Sequence, residues 1–180
     1  MVLYYCMRIL LLLFLSLIEM RMVYSQKGYP APTNQKNLLF YIQHDRGQNT
    51  YVYKANLNPT KSFIKDDPIL VYRQLFEEGG KVKPLTRIQK LFAYGIKYSE
   101  MDPNTYESYV VSLPDQKINI SLDKDSVPIA ETQVNGTKII LQRIFLKLTE
   151  GTSGLSTKLD YIIFYGRDKN GKSVEEKLIL

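Results

Sequence analysis

Beyond residue 37 the chain is written in short apolar runs separated by turn residues, and only one stretch departs from a period of two. That pattern constrains the fold more than any other feature. Leu38 to His44 is a nearly continuous apolar run, and Arg46-Gly47-Gln48-Asn49 is turn-like. Tyr51, Tyr53, Ala55 and Leu57 then alternate with Val52, Lys54 and Asn56, which predicts a hairpin. Ile69 to Phe76 reads as a further strand, ended by Glu77-Glu78-Gly79-Gly80. Tyr109, Val111 and Leu113 alternate before a turn at Pro114-Asp115-Gln116, and Ile118, Ile120 and Leu122 alternate after it. Asn135-Gly136 between two β-like runs is the strongest hairpin signal, because a type I′ turn needs two residues at positive φ. The strand after it, Thr137 to Thr149, is long. Leu159 to Gly166 and Ser173 to Leu180 close the chain as a hairpin around Lys169-Asn170-Gly171-Lys172. Strands and helices do not alternate, so a parallel sheet is not expected. The reading is a mainly β domain, an antiparallel sandwich or barrel of about nine strands.

The exception to the strand period is Ile88, Leu91, Phe92 and Ile96, which recur at helical spacing. Thr86-Arg87-Ile88-Gln89 fits a capping box, and Gly95 suits the position after a helix end. One short helix is expected over Thr86 to Tyr94. Arg87 and Lys90 share a face opposite Ile88, Leu91 and Phe92 and belong to a basic stretch with Lys81, Lys83 and Lys97. The ordinary account is the solvated side of an amphipathic helix. The functional one is contact with anionic lipid headgroups, polysaccharide or nucleic acid.

The long strand is apolar on both faces. Ile139, Leu141, Arg143 and Phe145 fall on one by simple alternation, and Ile140, Gln142, Ile144, Leu146 and Leu148 on the other. This predicts a central strand whose middle is interrupted by Gln142 and Arg143. A buried guanidinium requires a carboxylate or a ligand anion, so Arg143 and Gln142 are candidate ligand-binding residues.

The N-terminus reads as an address. Arg8 precedes about ten apolar residues, Ile9 to Ile18, and Val23-Tyr24-Ser25 offers a cleavage site before Gln26. The run is short for a bilayer span, which needs ~20 residues. Residues 1–25 are therefore expected to be a signal peptide, 26–37 an extended polar lead-in, and 38–180 a single β-rich domain. Cleavage removes Arg8, Arg21 and Glu19, leaving 22 basic and 17 acidic residues and a net charge of +5. It also removes Cys6, the chain's one cysteine. An exported chain of this size without cysteine fits a bacterial envelope better than a disulfide-built secreted domain.

The segments Leu39-Phe40-Tyr41-Ile42-Gln43, Leu85 to Gly95, Leu141-Gln142-Arg143-Ile144-Phe145 and Tyr165-Gly166-Arg167-Asp168 occur in this order. As a set the chain resembles an uncharacterised family of exported bacterial domains of unknown function, over roughly Leu38 to Leu180. The resemblance implies a location in the bacterial envelope and carries no activity and no functional residues.

Chemistry-bearing residues are few. With one His and one Cys, multi-His and Cys-based metal sites are excluded, and no metal or cofactor is expected. His44 has Asp45 beside it, but adjacent strand residues face opposite sides, so Asp45 is badly placed to orient a general base. Tyr51 and Tyr53 share a strand face, as do Tyr161 and Tyr165, and exposed aromatics of this kind can stack on ligands. The candidate ligand-binding residues are Arg143, Gln142, His44, Tyr53, Arg87 and Lys90. The sequence points to a non-enzymatic exported β-domain that binds a ligand or protein partner in the bacterial periplasm or at the cell surface, with no nucleic acid and no membrane span after cleavage. A hydrolase or lyase using carboxylate, tyrosine and arginine chemistry is one alternative. A structural component of an envelope assembly, pairing through an edge strand, is the other.

Overall fold

The computed structural model describes residues 29–32 and 36–180. The expected leader, Cys6 and half of the lead-in lie outside the described residues. The β-domain falls within residues 32–180. Its strands are β1 (Leu38–His44), β2 (Thr50–Ala55), β3 (Ile69–Leu75), β4 (Lys81–Pro84), β5 (Ile96–Asp102) and β6 (Thr105–Val110), followed by β7 (Ile118–Leu122), β8 (Pro128–Val134), β9 (Thr137–Leu148), β10 (Leu159–Arg167) and β11 (Ser173–Ile179). The one α-helix among the described residues, α1 (Arg87–Phe92), lies between β4 and β5.

The domain is mainly β, as expected, but the sheet is mixed. Nine strands follow one curled path in the order β4-β3-β2-β1-β9-β8-β7-β6-β5, a half-barrel. Within it β1 runs parallel to β9, from Tyr41 opposite Arg143 to His44 opposite Leu146. The expectation of a purely antiparallel sheet fails here. A parallel pair needs a long crossover rather than a tight turn, and the whole chain between β1 and β9 supplies it. No local pattern announces such a pairing.

β9 is the hub. β8 pairs with its first residues and β1 with its later ones, while β10 runs along the opposite edge and carries β11 outside it. The curl brings the distant ends of the path together. The Phe63 amide between β2 and β3 donates to Asn104 Oδ1 in the β5–β6 turn at 2.8 Å, and the Phe63 ring packs edge-on against Tyr106 at 5.3 Å. Lys65 and Glu100 pair across the same junction at 3.2 Å.

The core lies inside the curl. Phe40 and Ile42 from β1, Tyr51, Tyr53 and Ala55 from β2, Ile118 and Ile120 from β7, and Ile162 and Phe164 from β10 form one buried cluster. The alternation on β2 and β7 therefore reports the inward face correctly. On β6 the phase is shifted: Tyr106, Ser108 and Val110 are buried while Tyr109 is exposed. The turn after β8 is type I′ as predicted, with Asn135 at φ 50° and Gly136 at φ 84°.

A β-bulge changes the reading of β9. Tyr165 pairs with Arg143 and Gly166 with Leu141, so Gln142 is the extra residue. The side-chain phase slips by one at that point. Ile139 and Leu141 face the core before the bulge, and Ile144, Leu146 and Leu148 face it afterwards. Arg143 therefore does not share a face with Ile139 and Leu141, and Gln142 is exposed rather than buried. Gly166 permits the bulge: a Cβ there would stand 2.1 Å from the Ile140 carbonyl oxygen.

Candidate functional site

The sequence-derived candidates separate into two places. His44, Tyr53, Arg87 and Lys90 gather at the end of the half-barrel where α1 sits. Arg143 lies on the outer face of the sheet, and Gln142 projects from the bulge.

His44 ends β1 with its ring 6.1 Å from that of Tyr51 and 6.4 Å from that of Tyr94. Its Nδ1 accepts the Arg46 backbone N–H at 3.2 Å, so the neutral ring carries its proton on Nε2. Burial pushes the imidazole below its ordinary value; Asp45 opposes that and Arg46 adds to it. A neutral ring protonated on Nε2 is a hydrogen-bond donor, which is a poor arrangement for a general base. Asp45 is committed to β9. Its carboxylate accepts from Lys147 Nζ at 2.7 Å and from the Leu148 amide at 3.1 Å. Burial of the carboxyl works upward, but these hydrogen bonds outweigh it and hold Asp45 below the usual carboxylate value. The guanidinium of Arg46 donates to the carbonyls of Thr149 and Thr152, fastening the β1–β2 turn to the β9–β10 loop.

Tyr53 is fully buried, stacked on Phe40 at 4.3 Å, and its hydroxyl donates to the Tyr94 carbonyl at 2.7 Å. Burial raises the Tyr53 and Tyr94 phenols far above their ordinary value, so both are neutral donors at any physiological pH. Tyr51 stacks on Tyr94 with ring centroids 3.3 Å apart. Tyr53 thus takes part in the attachment of α1.

The attachment of α1 uses little of its own side-chain surface. Thr86 caps it as predicted: its hydroxyl accepts the Gln89 amide at 3.2 Å, and Gln89 Oε1 accepts the Thr86 amide at 3.0 Å. Gln89 also donates to the Tyr51 hydroxyl at 3.5 Å. Beyond the helix, Ser112 and Val111 amides donate to the carbonyls of Ala93 and Gly95. Gly95 is required by close approach rather than by positive φ, since a Cβ there would lie 1.9 Å from the Lys90 carbonyl oxygen.

The consequence is the reverse of an ordinary amphipathic helix. Ile88 is 61% exposed, Leu91 49% and Phe92 60%, and no residue of α1 is buried. At 100° per residue Gln89 marks the inward side, and the remaining arc runs through Lys90, Arg87, Leu91, Ile88 and Phe92. Val82 on β4 is 56% exposed beside Lys81. From Gly79 to Ser99 the chain holds five cations and no carboxylate. Lys83 is held by Glu78 at 2.9 Å; among the described residues Lys81, Arg87, Lys90 and Lys97 make no ion pair. The helical spacing found the stripe but not its direction, because period alone does not say which side faces the core.

On the outer face of the sheet Arg143 is buried between Tyr41 on β1 and Tyr165 on β10. Its guanidinium carbon stands 4.9 Å from the Tyr165 ring centre and 5.3 Å from that of Phe145. One row along, Gln43 donates to Thr50 at 2.8 Å. Two open depressions of about 330 and 370 Å³ lie elsewhere, beside β8 and β9, and neither touches any of the six candidates. Among the described residues no three His, Cys, Asp or Glu side chains converge as a metal site would require.

The profile of a domain of unknown function, DUF4833, matches residues 40–177, from the core of β1 to the middle of β11. The chain belongs to the DUF4833 family. The expected membership of an uncharacterised domain family is thereby shown for almost the whole β-domain, and the match includes α1 and the bulge of this DUF4833 domain. No curated protein and no solved structure matches the chain.

Proposed function

We propose that the DUF4833 domain is a non-enzymatic binding module, exported to the bacterial cell envelope behind a leader removed before Gln26, and that the outer arc of α1 is its binding surface. The observation that carries this reading is the exposure of Ile88, Leu91 and Phe92 on a helix held in place by Gln89, Tyr94 and Gly95. Three large apolar side chains aimed at water on a fixed support favour an interaction site. The reading is also supported by the engagement of His44 and Asp45 in local hydrogen bonds, which leaves neither arranged for proton transfer. In this view the half-barrel is an incompletely closed barrel whose interior is filled by its own core, and recognition happens on its rim.

The test is fractionation of cells expressing the chain with its leader, wild type against the Ile88→Ser/Leu91→Ser/Phe92→Ser variant, with the mature N-terminus sequenced. Wild type is expected to sediment with the envelope and the variant to be released. Equal distribution of the two overturns the assignment of α1, and an N-terminus at Met1 or Met7 overturns cleavage.

A further inference from the structure

Resting on that reading of α1, we infer that the partner is an anionic lipid surface, with α1 lying in the plane of the bilayer interface. The arrangement argues for it. The exposed arc carries Lys90 and Arg87 along one flank and Leu91, Ile88 and Phe92 along the other. A helix lying in an interface has this layout: apolar side chains enter the acyl boundary while cations stay level with the phosphates. Charge argues for it as well. The twenty-one residues from Gly79 to Ser99 contain no carboxylate, and the two that flank them, Glu78 and Glu100, are engaged by Lys83 and Lys65. Lys81 and Val82 on β4 repeat the pairing of a cation with an exposed apolar side chain just before the helix.

Rigidity completes the case. A single short helix does not persist alone in water and would ordinarily have to fold on the membrane. Here the capping box, the Tyr51–Tyr94 stack and the hydrogen bonds to Ala93 and Gly95 hold it in advance. The ordering cost has already been met by folding, so modest apolar area can still yield useful binding.

The chain contains no tryptophan, so Phe92→Trp supplies a single reporter. The experiment uses protein purified from an exporting host, mixed with vesicles of phosphatidylglycerol in phosphatidylcholine or of phosphatidylcholine alone. All variants share one N-terminus, so differences between them report α1. The expected result is co-sedimentation with the phosphatidylglycerol vesicles, weakened by salt, and a blue shift of Phe92→Trp emission on binding. Ile88→Ser/Leu91→Ser/Phe92→Ser should lose at least about tenfold in partitioning, and Arg87→Gln and Lys90→Gln about fivefold each. Because these positions are exposed, their melting curves should match wild type; should the triple variant melt early, Arg87→Gln and Lys90→Gln decide alone. Unshifted Phe92→Trp emission on sedimenting protein, or variants that bind as wild type does, overturns the inference. Absence of vesicle binding combined with α1-dependent envelope association overturns the lipid and retains the binding surface, pointing to a protein. Absence of both overturns both readings.

Discussion

Replacing Gly166 by Ala should, like the same change at Gly95, be among the most damaging single-methyl changes in the domain. Its Cβ would lie 2.1 Å from the Ile140 carbonyl oxygen, 2.5 Å from Ile139 Cγ2 and 2.9 Å from the Ile140 carbonyl carbon. Ordinary contact begins near 3.4 Å, so β10 and β9 must part by about 1.3 Å at a point where both are locked in the centre of the sheet. The obstacle is backbone, which cannot rotate away as a side chain can. Overpacking alone costs about 1–3 kcal/mol. Loosening one or two ladder hydrogen bonds beside the bulge adds about 1–3 kcal/mol for each buried group left unsatisfied. A loss of about 3–5 kcal/mol is expected, a large share of the ~5–15 kcal/mol available to a domain. Gly171→Ala is the control. Gly171 sits at φ 80° with nothing near its Cβ, so its cost is torsional and about 1–2 kcal/mol. Urea unfolding followed by circular dichroism measures both, with an unchanged denaturant slope indicating that the native state alone has been altered. If Gly166→Ala costs no more than Gly171→Ala, the bulge geometry as described here is wrong.

Two further outcomes follow from the α1 end. Tyr53→Phe removes the hydroxyl that donates to the Tyr94 carbonyl at 2.7 Å and should cost about 1–2 kcal/mol by urea unfolding, with faster amide exchange at Val111 and Ser112 where the helix exit is tied. Burial lowers the His44 value in the folded state below the ordinary 6.5, so the unfolded chain takes up that proton first and the associated stability, complete above pH 6.5, is lost as pH falls through the folded value. His44→Gln should flatten that part of the pH–stability curve. The separate loss near and below 3.8, where the lowered Asp45 value keeps its carboxylate charged longer than in the unfolded chain, should remain. A His44→Gln curve parallel to wild type between pH 4 and 7 would count against a buried neutral ring.

What could be read from the residues was what local chemistry determines. Asn135-Gly136 and Thr86 with Gln89 encode their own turn and cap within four residues, and both occur as expected. The inward phase of Tyr51, Tyr53 and Ala55 was legible because Lys54 punctuates it. On β9 the bulge was not, because both faces are apolar and an extra residue leaves no break in the pattern. β4 and β5 are exposed edges rich in charge and carry no strand signal, since alternation reports burial rather than strand geometry. At the candidate site His44, Tyr53, Arg87 and Lys90 were visible individually. Their meeting was not, since it depends on Tyr94 returning from beyond α1 to Tyr51 and Tyr53. Arg143 was singled out as a buried cation, but its aromatic neighbours Tyr165 and Phe145 become visible only once the register is known.

The parallel pairing of β1 with β9 sets an order of assembly. Hairpins such as β7–β8 and β10–β11 close over a few residues, quickly and independently. β1 can form a hairpin with β2, but its other edge must wait for Arg143 to Leu146, about a hundred residues later. Until those residues leave the ribosome, Phe40 and Ile42 have no complete core and β1 presents an unpaired edge. A chain built in this way finishes folding only after nearly all of it has been made. That delay makes β1 the segment most exposed to wrong pairing if synthesis stalls.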